Sequence, residues 1–169
     1  MYAIVKDGAI TQTATTVQKL FPNTSFPSGP NTDFLTENNV KSVVNAEQKD
    51  RVYYFVSLGN IELVDGVPTQ KYTNTAKALN DVTEEGVTTP GLKTNMTNRV
   101  KINAGQLLSH TDWMVIRKYE RDVAIPSATA TYRAAVITEC TRLESAIAGA
   151  GDVDALATVM NAQNWPEEP

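Results

Sequence analysis

The hydrophobic pattern changes character near residue 74, and that change restricts the chain to folds that keep strands and helices in separate stretches. Up to that point apolar residues come in short β-favouring runs broken by turn residues. Tyr2-Ala3-Ile4-Val5 and Ala9-Ile10-Thr11-Gln12-Thr13 flank Lys6-Asp7-Gly8. An Asp-Gly pair between such runs predicts a hairpin, because both turn residues must accept positive φ. A second group consists of residues 51 to 58 and 61 to 64, separated by Gly59-Asn60, then 67 to 72 after Asp65-Gly66; it predicts a three-stranded meander. Between the two lies Phe21-Pro22-Asn23-Thr24-Ser25-Phe26-Pro27-Ser28-Gly29-Pro30, whose prolines exclude a helix and predict an extended surface loop. A short helical turn is expected at residues 32 to 38.

Beyond residue 74 the spacing is helical. Thr83-Glu84-Glu85-Gly86-Val87-Thr88-Thr89-Pro90-Gly91 offers a connector with a single apolar core candidate, Val87. Leu92, Met96, Val100, Ala104, Leu107 and Leu108 then line one face of a long amphipathic helix. Thr111 is placed to cap a second, short helix over 112 to 121, in which Trp113, Ile116 and Tyr119 share a face. Pro126-Ser127 opens a third helix with Tyr132, Val136, Cys140, Leu143 and Ile147 on its seam. Gly149 and Gly151 end it, and Asp152 caps a fourth carrying Val153, Leu156, Ala157 and Met160. The expected class is α+β: a small antiparallel β region (1–74), a linker (75–91) and a helical region of three to four helices (92–169).

Composition narrows the function more by exclusion than by indication. Across 169 residues, 15 Lys and Arg face 19 Asp and Glu. The resulting charge of −4 is spread evenly, since residues 1 to 85 hold 7 basic and 10 acidic groups. No basic stripe for nucleic acid results. No apolar run approaches the length of a membrane span, and Lys6-Asp7-Gly8 interrupts any signal-peptide pattern at once. The lone Cys140 excludes an internal disulfide framework and suits a reducing compartment.

Candidate chemistry dissolves on inspection of spacing. Ser109-His110-Thr111-Asp112 has the residue types of a hydrolytic triad, yet consecutive helical residues point apart and cannot converge on one atom. Cys140 falls on an apolar seam, where a thiol acts as a small hydrophobe. One histidine without clustered carboxylates gives no metal-ligand set. Gly149-Ala150-Gly151 joins two helices, whereas a phosphate loop follows a strand. The expectation is therefore a protein with no catalytic residues, no metal and no cofactor. What remains is Trp113, Tyr119, Tyr132, Arg133 and Trp165, residue types that dominate interface energetics.

Leu107-Leu108-Ser109-His110-Thr111-Asp112-Trp113, then Tyr132-Arg133 beyond Pro126, then Trp165-Pro166, resembles the C-terminal region of tail-fibre assembly proteins of tailed bacteriophages. The match covers about residues 104 to 169. The opening Met1-Tyr2-Ala3-Ile4-Val5, with Asn23-Thr24-Ser25-Phe26-Pro27, is similar to small tail-associated proteins of phages of marine bacteria. The chain departs from the assembly family at Ala134-Ala135-Val136, where members often carry a second arginine.

The resemblance implies a chaperone-like protein that covers aggregation-prone fibre segments until they assemble. It would act on a phage tail-fibre or other virion protein in the host bacterial cytoplasm, with neither nucleic acid nor membrane as partner, and self-association is left open. The alternative is a virion structural protein, retained in the tail fibre, baseplate or particle surface. Partner contact is assigned to Trp165, Pro166, Trp113, Tyr132 and Arg133. Within that set Trp113 is expected to lie under the seam of Tyr132, Val136 and Cys140, whereas Trp165-Pro166 is expected to project to a partner.

Overall fold

The computed structural model describes residues 1–169, which fold as α+β in two compact units, Met1–Thr75 and Ala76–Pro169. In the first unit, β1 (Tyr2–Lys6) and β2 (Ala9–Ala14) form the expected hairpin, with Lys6 opposite Ala9. Asp7 and Gly8 at its turn have φ of 49° and 72°, as the Asp-Gly pair requires. Thr16 caps the single turn α1 (Val17–Leu20), and Asn31 caps α2 (Thr32–Glu37) by accepting the Phe34 N–H at 2.8 Å. β3 (Val40–Ser42) then pairs antiparallel on the other side of β1.

Ile4, Val17, Leu20 and Val40 make the small core of this unit, with Phe21, Phe26 and Phe34 packed on it. Phe34 meets both other rings edge-on at 5.0 Å. The proline-bearing loop is thereby held by its aromatic residues, and Gln18 Nε2 donates to Thr24 O at 2.7 Å.

The predicted meander is corrected to one long hairpin. β5 (Tyr54–Val64) runs straight through Gly59-Asn60, and β6 (Val67–Ala76) follows the Asp65-Gly66 turn. The sheet order is β4-β6-β5, where β4 (Val44–Asn45) lies parallel to β6, so this sheet is not wholly antiparallel. Gly59 serves close approach rather than a turn: a Cβ there would sit 3.1 Å from Lys71 O, and Gln70 Nε2 donates to Gly59 O at 2.7 Å.

The second unit begins with a hairpin in the stretch expected as a linker, and so carries strands past the predicted boundary. β7 (Val82–Glu84) and β8 (Val87–Thr89) turn at Glu85-Gly86, with φ of 50° and 80°. Glutamate in place of aspartate hid this turn from the sequence pattern. α3 (Leu92–Arg121) follows Gly91, where a Cβ would clash with the Asn80 backbone. Asp81 Oδ1 accepts from the Gly91 N–H and the Thr94 hydroxyl, and these bonds hold its carboxyl below the ordinary value.

α3 continues unbroken through Ser109-His110-Thr111-Asp112, so the predicted cap and second short helix do not occur. Thr111 is buried, and its hydroxyl donates back to Leu108 O at 3.0 Å, satisfying it within the helix. α4 (Ser127–Gly149) and the shorter α5 (Val153–Asn161, capped by Asp152) complete the helical part. Lys93 Nζ reaches Ala148 O at one end and Tyr132 OH reaches Leu107 O farther on, which sets α3 and α4 antiparallel. Val100, Val136, Leu143, Ile147 and Leu156 are the fully buried centre.

Candidate functional site

Tyr132 and Arg133, adjacent on α4, tie α3 down near its middle. The Tyr132 side chain is buried, and its hydroxyl donates to Leu107 O at 3.1 Å. Arg133 Nη1 donates to Leu108 O at 2.9 Å and to Thr111 Oγ1 at 2.6 Å, while Nη2 pairs with Asp112 Oδ1 at 2.9 Å. One planar guanidinium thus bridges a carbonyl, a hydroxyl and a carboxylate on successive turns. Burial, with the charge of Glu168 adding to it, pushes the Tyr132 phenol up against the opposing effect of Arg133. Both side chains face inward and are spoken for.

Past Thr111 no residue of α3 is buried. Trp113, expected under the α4 seam, is instead 52% exposed, with Ile116 at 56% and Tyr119 at 93%. Spaced by three, these side chains lie on one side of the last turns, with Val115 exposed beside them. The Arg117 guanidinium sits 4.8 Å from the centre of the Trp113 ring, and its Nε has no hydrogen-bond partner. The physical reason for the correction is orientation: Tyr132 and Arg133 of α4 hold α3 at Leu107, Leu108, Thr111 and Asp112, whereas the Trp113, Ile116 and Tyr119 side chains stand largely in solvent.

Residues 162 to 169 are held against the helices without regular structure. Arg142 Nη2 donates to Ala162 O at 2.9 Å, and the Asn164 N–H donates to Glu139 Oε1 at 2.7 Å. Trp165 packs, half-buried, on the cluster of Ala104, Tyr132 and Val136, and its Nε1 donates to Gln163 Oε1 at 2.8 Å. Pro166 lies beside Ala135, and Glu168 Oε2 meets His110 Nδ1 at 3.0 Å. Trp165 therefore rests on the core rather than projecting.

The anchor of this tail is Glu139, only 7% exposed although charged. Arg142 holds it from Nε at 2.7 Å and from Nη2 at 2.6 Å, one turn along α4. The Arg142 hydrogen bonds depress the Glu139 carboxyl against its burial, and the Asn164 N–H adds to the effect. The sequence seam placed Cys140 where Glu139 lies; Cys140 is half-buried next door, its thiol pushed up by burial and by Glu144. A glutamate three residues before an arginine was the available signal for this anchor.

Ser109, His110, Thr111 and Asp112 do not converge on one point. Ser109 Oγ donates to Gln106 O, Thr111 to Leu108 O, His110 turns to Glu168 and Asp112 to Arg133. No three His, Cys, Asp or Glu side chains gather to hold a metal ion, and no helix is long and apolar enough to cross a membrane. The arrangement presents an aromatic and cationic strip on a helix held from behind, suited to desolvating against another surface. No protein-family profile, curated protein or solved structure matches the chain.

Proposed function

We propose that the protein is a non-catalytic assembly factor that binds a phage tail-fibre or other virion chain before that chain assembles. The observation that carries this is the exposed strip of Trp113, Ile116 and Tyr119, with the half-buried Arg117 stacked on the Trp113 ring. Tryptophan, tyrosine and arginine supply most interface energy because each buries a large area while keeping a polar handle. An unassembled fibre chain exposes apolar strips and strand edges that need such cover. Support for the phage setting comes from the order of Thr111-Asp112-Trp113, Tyr132-Arg133 and Trp165-Pro166 along the sequence.

In this proposal the assigned residues divide into two kinds. Trp113 touches the partner, joined by Ile116 and Tyr119. Tyr132, Arg133, Trp165 and Pro166 are positioning residues that fix α3 and the tail from behind. The site of action is the host bacterial cytoplasm during assembly.

The test is co-expression with the phage's fibre chain, comparing the native protein with Trp113→Ser combined with Tyr119→Ser. Loss of fibre capture and of soluble fibre, with an unchanged helical spectrum, is expected. Undiminished capture by the double variant would remove the strip from the site. Mass spectrometry of purified particles separates the roles: an assembly factor is missing from them, whereas a virion component is found there.

A further inference from the structure

We propose that the groove between α3 and α4 is a peptide-binding site that the tail from Ala162 to Pro169 fills in cis, and that an extended segment of a protein partner takes the tail's place. The tail is seated as a bound peptide would be, with one aromatic anchor and a polar margin. Trp165 packs on Ala104, Tyr132 and Val136, while Leu107, Leu108 and Cys140 pack around the same cluster. Along the margin Arg142 donates to Ala162 O, Glu139 accepts from the Asn164 N–H, and His110 meets Glu168. The seated chain thereby defines the chemistry of the ligand. It offers a backbone N–H to Glu139, a large aromatic side chain on the next residue, and a carboxylate three residues beyond that.

This contact separates without leaving buried groups stranded. Trp165 Nε1 donates to Gln163 Oε1 within the tail, so the indole takes its hydrogen-bond partner with it. Glu139 keeps Arg142, its neighbour on the same helix, through both Nε and Nη2. Lifting the tail therefore orphans no charge, and it lets the buried Glu139 carboxylate regain hydration. The Ala162 carbonyl and the Asn164 N–H exchange their partners for water. Nor does the tail fill its seat. An open hollow of about 440 Å³ remains where Pro166, Glu167 and Pro169 face Ser127, Thr131 and Tyr132 of α4, unlike the close packing of an interior. The inference stands whatever the Trp113 strip binds.

The experiment titrates a fluorescent synthetic peptide of residues 162–169 with the full chain, comparing the native protein with Trp165→Ala and Glu168→Gln by anisotropy. A groove filled in cis binds a competing peptide with an affinity lowered in proportion to the fraction of molecules that are open. Trp165→Ala, which removes the anchor, should bind the peptide at least about tenfold more tightly than the native protein does. Glu168→Gln, which frees only the far end, should show a smaller gain, and it decides the matter if Trp165→Ala loses its helical spectrum. A peptide with alanine in place of Trp165 should bind none of the three. Equal affinity for native protein and variants overturns the inference. So does a peptide indifferent to the loss of its indole, or binding that Trp113→Ser abolishes, which would seat the peptide on the strip instead. A native dimer that Trp165→Ala dissociates would place a second copy's tail in the groove and overturn the filling in cis.

Discussion

The last turns of α3 and the tail from Ala162 to Pro169 reverse the usual relation between regular structure and burial. The helix obeys every backbone rule yet leaves Trp113, Ile116 and Tyr119 uncovered. The tail has no helix or strand, yet Trp165 lies on the core and its backbone is bonded to Glu139 and Arg142. Periodicity reports which residues share a face, whereas cover depends on whether another element reaches that face. α4 grips α3 through Tyr132 and Arg133 at Leu107, Leu108, Thr111 and Asp112, and leaves Trp113, Ile116 and Tyr119 exposed.

The largest expected effect tests the tail. Trp165→Ala should destabilise the protein by about 2 to 3 kcal/mol, because a half-buried indole leaves a gap against Ala104, Tyr132 and Val136. Thermal unfolding measures it, and a loss no larger than that of Trp113→Ala would break the comparison. Glu139→Gln should follow at about 2 kcal/mol, through weakened charge-assisted bonds to Arg142 and the Asn164 N–H.

That second variant also carries a pH signature. The Glu139 carboxyl is held, by Arg142 first, below its ordinary 4.5 in the folded state, so the folded protein binds fewer protons than the unfolded chain. Its contribution is complete above that value and disappears as the pH falls through the lower folded one. Denaturant titrations at falling pH should show the native protein losing stability faster than Glu139→Gln; parallel curves would assign the acid sensitivity elsewhere.

Cys140→Ala should cost about 1 kcal/mol, the loss of one small half-buried group, and leave partner capture intact. The smallest effect belongs to Trp113→Ala, under about 1 kcal/mol, since the indole is 52% exposed and the Arg117 stack is an exposed-site contact. Partner capture should nevertheless fall sharply in this variant. A large drop in melting temperature would mean that α3 is covered after all.

The sequence made the Asp7-Gly8 and Asp65-Gly66 turns legible because their backbone conformation demands those residue types. It misread Gly59-Asn60, where glycine permits a neighbouring strand to come close instead of permitting a turn. The change from strand to helix spacing placed the helices, but Ser109 to Asp112 read as a break because capping residues are also tolerated mid-helix once their hydroxyls bond backward. Tyr132, Arg133 and Trp165 were found by residue type, yet their inward orientation was not, since that follows from long-range contacts to Leu107, Leu108 and Ala104. Glu139 escaped because a seam is sought among apolar residues, and its burial depends on a tail that folds back from 25 residues away.

The overhang of α3 sets a gradient of amide hydrogen exchange along a single helix. Leu92–Arg121 extends about 45 Å, and its amides near Val100 can open only when the surrounding core opens. Those beyond Thr111 have no such cover and can fray from the Asp122 end, one turn at a time. A partner that seats on Trp113, Ile116 and Tyr119 must first still this fraying, so its affinity falls short of what the contact area alone would give. Its arrival would be written in the slowed exchange of the final turns, with the first half of the same helix unchanged.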